Sequence, residues 1–341
     1  MADLIVMSAR STEQEVEKVV GKVRALGFDV HISKGQEKTL IGIIGDTRGI
    51  SDEVFRIMPG VMEVISILKD YKLASREFHP ENTVISLGPK VKIGSRQFFI
   101  SAGPCSVENE EQLKETAIFI KSLGCKVLRG GAFKPRTSPY SFSGLEKKGL
   151  EILRRVKEET GVVIVTEVLS PEEVRAVSDV ADILQIGARN MFNYRLLQRV
   201  GKAGKPVLLK RGFDAKISEF LNCAEYILKE GNKNVILCER GIRTFDSEFS
   251  RNTLDLAAVP ILKRESHLPV IVDPSHGTGK RDLVIPMVRA AIAAGADGIM
   301  VEVHPHPEEA LSDGFQSLDL ALFKTMMKEI KPFLALMGRF I

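Results

Sequence analysis

The stretch GVVIVTEVLSPEEVRAVSDVADILQIGARN, residues 161–190, contains the unit from which most of the chain is built. The apolar run VVIVTE is followed by a segment predicted as a helix at 170–179, and a second apolar run, DILQIGAR, comes next. Strands that alternate with helices in this way form a parallel sheet. Each run ends in a charged side chain, Glu167 in the first and Arg189 in the second.

The same unit recurs on both sides of this stretch: the apolar runs lie between residues 97 and 302, and the last predicted helix ends at residue 337. Eight such units in about 240 residues fit a closed (β/α)₈ barrel better than an open doubly wound sheet, and GPCSVE lacks the glycine pattern of a Rossmann fold. The other apolar runs are FFISAGPC, CKVLRGG, PVLLKR, NVILCER, PVIVDPSH and GIMVEV. Helices are predicted at 109–123, 144–158, 170–179, 192–203, 216–230, 252–264, 281–294 and 318–337.

Residues 1–66 show a different order of elements. LIVMSA is predicted as a strand, and Ser11 as the cap of a helix with Gln14 placed for a capping box. FDVHIS, TLIGIIG and VMEVISIL are predicted as strands and SDEVFRIM as a short helix, which gives the order β-α-β-β-α-β. This order is typical of ferredoxin-like domains, including the ACT domains that bind small molecules. Residues 67–84 are predicted as a linker, and residues 85–341 as an α/β barrel domain that begins with a hairpin.

The composition excludes several classes of protein. With 48 Lys and Arg against 44 Asp and Glu, the formal net charge is only +4, which argues against a general nucleic-acid binder. No stretch is long and apolar enough to span a membrane, and the N-terminus MADLIVMSARS lacks the regions of a signal peptide. The four cysteines show no paired or CxxC spacing, so we expect reduced thiols in a cytoplasmic protein.

Positively charged side chains are concentrated after the second, fourth, fifth and sixth strands of the predicted barrel. Because the C-terminal ends of barrel strands meet at one mouth, we expect these cations to converge there. Arginine binds carboxylate and phosphate through paired hydrogen bonds, and lysine adds a point charge. The sequence therefore predicts one or two substrates with several negative charges. The cations are Arg129, Lys134, Arg136, Arg189, Lys210, Arg211, Arg240 and Arg243.

Four side chains with metal-binding chemistry follow the first, seventh and eighth strands, which are neighbours in a closed barrel. They are Cys105, His276, Glu302 and Asp313. A thiolate, an imidazole and two carboxylates suit a borderline divalent ion such as Mn²⁺, Fe²⁺, Co²⁺ or Zn²⁺. No short metal-binding spacing links them, and His304 and His306 in EVHPHPEE are competing candidates.

Seven motifs together resemble one known family. GPCSVE, LRGGAFKPRTSPYSF, QIGARN, LLKRG, ERGIRTF, VDPSHGTG and VEVHPHPEEALSDG are similar to the type I 3-deoxy-D-arabino-heptulosonate-7-phosphate (DAHP) synthases, over residues 85–335. The ferredoxin-like extension resembles the subgroup with an ACT-like regulatory domain. The resemblance implies metal-dependent condensation of phosphoenolpyruvate with erythrose 4-phosphate, the first step of aromatic amino-acid biosynthesis.

Carried over residue by residue, the resemblance implies the roles of the site residues. The metal ligands would be Cys105, His276, Glu302 and Asp313. The phosphoenolpyruvate contacts would be Arg129, Lys134, Arg189, Lys210 and Arg240, and the erythrose 4-phosphate contacts Arg136 and Thr137. Glu167 would help to hold a water near the reacting carbon, Asp273 would lie near the metal and the aldehyde, and Lys134 is a candidate general acid.

Three other interpretations remain open at this point. The related 3-deoxy-D-manno-octulosonate-8-phosphate synthases use arabinose 5-phosphate, but they carry a KANRS-like motif where this chain has KPRTS. A class I aldolase would use Lys210 to form a Schiff base. A non-catalytic amino-acid sensor would keep the small domain and use the barrel only as a scaffold.

The small domain contributes none of the predicted catalytic residues, which indicates a regulatory function. We expect feedback inhibition by tyrosine or phenylalanine, with His31 and Ser33 in HISKGQ as ligand-binding candidates. The family resemblance also implies a homotetramer.

Overall fold

The computed structural model describes residues 3–35, 38–47, 50–65, 71–89, 91–135, 140, 142–246 and 248–341. The chain divides into two compact units, Met1–Lys72 and Leu73–Ile341. None of the helices in the described residues is long and apolar enough to cross a membrane.

The first unit is a four-stranded antiparallel sheet whose apolar face is covered by helices. Its elements are β1 (Leu4–Met7), α1 (Glu13–Ala25), β2 (Asp29–Lys34), β3 (Thr39–Ile44), α2 (Glu53–Arg56) and β4 (Val61–Ile65), in the sheet order β2-β3-β1-β4. Ile5, Ile41 and Val64 pack against Val19 of α1 and Phe55 of α2. The predicted ferredoxin-like fold is therefore confirmed.

The predicted cap of α1 is wrong by one residue. Thr12, not Ser11, occupies the N-cap and forms a capping box with Glu15, whose carboxylate accepts the Thr12 backbone N–H at 2.7 Å. The Ser11 hydroxyl donates instead to the Ser8 carbonyl. Both residue types are good caps, and the reciprocal hydrogen bonds that form are those between Thr12 and Glu15.

The second unit contains a closed barrel of eight parallel strands in the described residues, which confirms the predicted fold class. Each strand pairs with the next along the chain, and the last pairs with the first from Gly298↔Phe99 to Glu302↔Gly103. The strands are β7 (Phe99–Gly103), β8 (Val127–Arg129), β9 (Val163–Glu167), β10 (Ile183–Ile186), β11 (Val207–Lys210), β12 (Val235–Glu239), β13 (Val270–Val272) and β14 (Gly298–Glu302).

The barrel strands are apolar along almost their whole length because both of their faces are buried. The predicted hairpin is also present, as β5 (Ile85–Leu87) paired antiparallel with β6 (Val91–Ile93). Its Ile85 and Ile93 pack against interior residues such as Phe99. Since Phe99 begins its strand, the hairpin covers the N-terminal end of the barrel and leaves the C-terminal end for the site.

Each of the eight helices predicted in this part of the chain is present, but not every boundary agrees with the prediction. The helix predicted at 252–264 is α8 (Ala258–Glu265), and it begins later because Thr253 forms a bridge to Ile242 and Asp255 accepts the Ala258 N–H. The short helix α9, described below, was not predicted. The helices of this unit are α3 (Glu110–Ser122), α4 (Glu146–Thr160), α5 (Val174–Ser178), α6 (Tyr194–Gly201), α7 (Ile217–Lys229), α8 (Ala258–Glu265), α9 (Pro274–Thr278), α10 (Arg281–Ala293) and α11 (Leu320–Leu336).

Candidate active site

A pocket of about 300 Å³ lies at the C-terminal ends of the barrel strands. Most of the predicted site residues line it: Arg129, Lys134, Glu167, Arg189, Lys210, Arg240, His276 and Asp313. These side chains, which follow different barrel strands, therefore converge on one mouth of the barrel. Arg136 and Thr137 lie outside the described residues.

The four predicted metal ligands come together at one side of this pocket. One donor atom from each of Cys105, His276, Glu302 and Asp313 can be chosen so that all four lie within 4.8 Å of one another. Sγ of Cys105 lies 3.2 Å from Oδ2 of Asp313, and Nε2 of His276 lies 3.3 Å from Oε1 of Glu302. This is the spacing that a single divalent ion can bridge.

The short helix α9 presents His276, and Asp273 orients it. Asp273 is the N-cap of α9, Pro274 occupies its first turn, and Gly279 ends it with a left-handed backbone. Oδ2 of Asp273 lies 2.8 Å from Nδ1 of His276. A carboxylate on one ring nitrogen fixes the tautomer and leaves the other nitrogen, Nε2, as a metal ligand.

The protonation of the cluster is set by burial together with neighbouring charge. Burial lowers the pKa of His276, although Asp273 and Glu302 act in the opposite direction, so the imidazole is held in its neutral, ligating form. Burial, with the Glu302 charge adding to it, raises the pKa of the Cys105 thiol to about 11, despite Lys134 and Arg129. A divalent cation would reverse this effect on the thiol. The donor set therefore fits a borderline divalent ion.

Glu302 is held from two sides. Its Oε1 accepts from Arg129 at 2.9 Å, and its Oε2 accepts from the amide of Gln316 at 2.5 Å. All three residues are buried. Gln316 was not predicted from the sequence, because a single glutamine beyond the last strand carries no recognisable pattern.

Glu108 joins the loop that carries Cys105 to the loop that carries Asp313. Its Oε1 accepts the Leu311 N–H at 2.9 Å, and its Oε2 lies 3.5 Å from Nε2 of His304. His304 is buried beside Glu108 and is not part of the metal-capable cluster found in the described residues. Asp313 itself has a left-handed backbone with φ of 55°, which is uncommon for a residue other than glycine.

The cations on the pocket wall are only partly neutralised. Within the described residues, Nε of Arg129 and Nη1 of Arg240 are buried and have no hydrogen-bond partner. Lys210 donates to Asp273 at 2.5 Å, which places Asp273 behind Lys210 and His276. Arg211 does not join the cluster of cations, since it forms ion pairs with Glu239 and Asp255 at 2.9 and 2.8 Å.

Glu167 projects from the end of β9 into the pocket. Its Oε2 accepts from the amide of Gln185 at 3.2 Å, and its carboxyl group lies directly against Gly187. Arg251 and Phe213, which the sequence analysis did not select, also line the pocket. In the sequence, Arg251 cannot be distinguished from a surface arginine, and Phe213 cannot be distinguished from an ordinary apolar residue.

His31 and Ser33 lie far along the chain from this pocket, in the first unit. They occupy alternate positions of β2 and therefore project from the same face of the sheet, where both are exposed. All of the predicted catalytic residues belong to the second unit, Leu73–Ile341.

The fold and the site define a class: a (β/α)₈ barrel enzyme with a metal-capable cluster beside a cationic pocket. Residues 79–335 match the model of the DAHP synthetase I family, and residues 4–69 match the DAHP synthase ferredoxin-like domain. The chain belongs to the DAHP synthetase I family. This confirms the predicted enzyme, a DAHP synthase with an N-terminal ferredoxin-like domain.

Individual relatives agree with this assignment. A phospho-2-dehydro-3-deoxyheptonate aldolase of Thermotoga maritima is 58% identical over 96% of both chains. The crystal structure of the DAHP synthase from Thermotoga maritima has a TM-score of 0.95 at 57% identity and covers 98% of each chain. The chain is also 36% identical to a 2-dehydro-3-deoxyphosphooctonate aldolase of Geobacter, over 71% of this chain and 94% of that one.

Proposed function

We propose that this DAHP synthase condenses phosphoenolpyruvate with erythrose 4-phosphate in a metal-dependent reaction that releases phosphate. One observation carries the proposal: the metal-capable cluster and the cationic pocket share a wall. Nζ of Lys134 lies 2.9 Å from Sγ of Cys105, and Lys134 lines the same pocket as Arg189 and Arg240. An aldehyde at the cluster and an anionic enol phosphate in the pocket would therefore be neighbours.

The cations of the pocket supply binding and orientation. Arg129 and Arg240 each retain a buried N–H without a partner in the described part of the chain, and such a group strongly favours an anionic ligand. Lys210 is fixed by Asp273 and directs its charge into the same pocket. Holding two reactants in register removes much of the entropic barrier to a bimolecular condensation.

The metal ligands we propose are Cys105, His276, Glu302 and Asp313. A divalent ion bound there would supply Lewis-acid polarisation of the aldehyde oxygen. Asp273 does not line the pocket, so we assign it a positioning role, in which it orients His276 and Lys210. Mn²⁺, Fe²⁺, Co²⁺ and Zn²⁺ all suit this mixed set of sulfur, nitrogen and oxygen donors.

Two pocket residues are placed to manage protons and water. Lys134 is the candidate general acid, since its ammonium lies at the boundary between the cluster and the pocket. Glu167 is the candidate that holds the attacking water for carbon 2 of phosphoenolpyruvate, because its carboxylate faces the pocket and is held by Gln185. Arg136 and Thr137 remain our proposed contacts for the phosphate of erythrose 4-phosphate.

The octulosonate synthase reaction is the second candidate. It is favoured by the octulosonate aldolases of Geobacter and Acidithiobacillus, which are 36% and 33% identical to this chain. KPRTS at 134–138, where the resemblance leads us to expect a KANRS-like motif in the octulosonate synthase family, favours the four-carbon aldehyde instead. A Schiff-base mechanism is disfavoured, since Lys210 is engaged with the buried carboxylate of Asp273.

The first unit is proposed to bind an aromatic amino acid and inhibit the enzyme. A second complete fold without a metal-capable group in its described residues supports a regulatory role. His31 and Ser33, side by side on an exposed sheet face, are the proposed contacts. A homotetramer is the form that the resemblance to the family implies, and a location in the cytoplasm is proposed from the spacing of the four cysteines.

One assay tests the proposed reaction. Purified enzyme with Mn²⁺, phosphoenolpyruvate and erythrose 4-phosphate should release inorganic phosphate, and the release should require both substrates. Phosphate release from phosphoenolpyruvate alone would indicate a phosphatase. If no phosphate is released with Mn²⁺, Fe²⁺, Co²⁺ or Zn²⁺, each tested in turn, the proposal is refuted.

A further inference from the structure

One apolar side chain lies among the cations of the pocket. Phe213 is in the loop between β11 and α7, and it lines the pocket. The guanidinium carbons of Arg240, Arg243 and Arg189 lie 4.7, 4.8 and 5.6 Å from the centre of its ring. These distances fall within the range of cation–π attraction, which reaches to about 6 Å.

The three arginines come from the loops on either side of Phe213. Arg189 belongs to the 3₁₀ turn Ala188–Asn190 after β10, and Arg240 and Arg243 follow β12. The Arg243 backbone N–H donates to the Phe213 carbonyl at 2.8 Å. This hydrogen bond joins the Phe213 loop to the loop of Arg240 and Arg243. It therefore fixes the position of the ring relative to these two arginines.

These arginines lack the partners that usually hold buried or clustered cations in place. Within the described residues, none of Arg189, Arg240 and Arg243 forms an ion pair with a carboxylate. Arg240 is 3% exposed, and one of its N–H groups has no partner. Like charges held so close repel one another, and a buried guanidinium without an anion is costly.

The face of the Phe213 ring stabilises the clustered guanidinium groups without neutralising their charge. A carboxylate in the same place would compete with an anionic substrate, whereas the negative face of an aromatic ring attracts guanidinium groups and leaves their N–H groups free to bind. An aliphatic side chain of similar size would fill the space but would offer no such attraction. The aromatic character of residue 213, rather than its volume, is therefore the property that matters.

We propose that Phe213 is a positioning residue whose ring holds Arg189 and Arg240 in place to bind the anionic groups of phosphoenolpyruvate, while Arg243 packs on the same ring without lining the pocket. The inference rests on the proposed function, since it names phosphoenolpyruvate as the ligand of these arginines. It predicts an effect on substrate affinity that depends on the ring. Removal of the ring weakens the binding of phosphoenolpyruvate, and a different aromatic side chain at position 213 restores that binding.

The test compares Phe213→Leu with Phe213→Tyr, and Phe249→Leu serves as the control. Phe249 is an exposed phenylalanine of the β12–α8 loop that does not line the pocket. Phe213→Leu should raise the KM for phosphoenolpyruvate by roughly three- to thirtyfold, with a smaller change in kcat and little change in the KM for erythrose 4-phosphate. Phe213→Tyr and Phe249→Leu should remain close to the wild type.

A binding measurement separates this inference from the reaction itself. The rise in Tm that phosphoenolpyruvate alone produces should be reduced in Phe213→Leu and kept in Phe213→Tyr, whether or not phosphate is released on adding the aldehyde. Far-ultraviolet circular dichroism and the ligand-free Tm check the fold. An unchanged KM and Tm rise in Phe213→Leu, or equal losses in the Leu and Tyr variants, would overturn the assignment.

Discussion

The carboxylate of Glu167 occupies the space that a side chain at position 187 would fill. A Cβ added to Gly187 would overlap Oε1 of Glu167 and lie 3.0 Å from its carboxyl carbon. The backbone of Gly187, with φ of −69° and ψ of 159°, suits any residue, so the glycine is required by space and not by conformation.

Gly187→Ala should therefore displace Glu167 without harming the fold. A misplacement of about 1 Å can reduce the rate on the order of a hundredfold, and we expect a loss of that size in kcat/KM. Glu167→Asp in the Gly187→Ala background should recover part of the loss, because the shorter side chain leaves room for the methyl group. Gly21→Ala is the control, since nothing lies within 4 Å of a Cβ there. Wild-type kinetics in Gly187→Ala would show that the position of Glu167 is unimportant.

Cys105→Ala should abolish tight binding of a divalent metal. Titration with Co²⁺ measures this directly, because a thiolate ligand gives a sulfur-to-metal absorption band. Cys125→Ala is the matched control: Cys125 is equally buried, but its Sγ contacts the Ile100 carbonyl and lies outside the cluster. We expect Cys125→Ala to lose about 1 kcal/mol of stability and to keep the band. An unchanged Co²⁺ affinity in Cys105→Ala would exclude Cys105 as a ligand.

His267 should make the stability of the second unit depend on pH. Its Nε2 donates to the Leu73 carbonyl at 2.7 Å, and its Nδ1 lies 2.6 Å from the Thr83 hydroxyl oxygen. Burial is the main cause that lowers the pKa of His267, and His79 and Arg76 lower it further. The unfolded chain therefore binds more protons, and stability is lost as the pH falls below the ordinary histidine value.

The measurement is the unfolding midpoint from about pH 7.5 to about pH 5.5. The wild type should lose more stability over this range than His267→Gln, which carries no charge at either pH. His306→Gln, a substitution of an exposed histidine in the same unit, is the control. If the unfolding midpoint falls equally with pH in the wild type and in His267→Gln, His267 does not contribute to the loss of stability in acid.

The strand-end residues were predictable because the barrel topology fixes where they lie. Cys105, Glu302 and Arg129 each follow or end an apolar run, and a closed parallel barrel brings such positions to one mouth whatever the loops do. It was harder to predict which of these side chains would line the pocket. Arg211 directly follows a barrel strand, as Arg240 does, but it is paired with Glu239 and Asp255.

Loop-dependent features could not be predicted in the same way. α9 is only five residues long and contains proline and glycine, so it has no helical periodicity to detect. Gln316 reaches Glu302 only because the chain turns sharply at Gly314–Gln316. Phe213 differs from other apolar residues only in what surrounds it, and the loops after β10 and β12 supply the arginines around it.

Removal of the first unit should separate catalysis from regulation. A chain that begins at Leu73 retains the whole cluster and the described lining of the pocket. We expect the truncated enzyme to stay active and to lose inhibition by tyrosine or phenylalanine. A full-length enzyme that neither amino acid inhibits would contradict the regulatory proposal.

The choice of aldehyde tests the central claim most directly. Phosphate release with phosphoenolpyruvate should be measured with erythrose 4-phosphate and with arabinose 5-phosphate, under the same metal. We predict a kcat/KM for erythrose 4-phosphate that is higher on the order of a hundredfold, because a sugar one carbon longer would misplace its aldehyde by more than 1 Å. A preference for arabinose 5-phosphate would contradict the account and assign the octulosonate reaction to this chain.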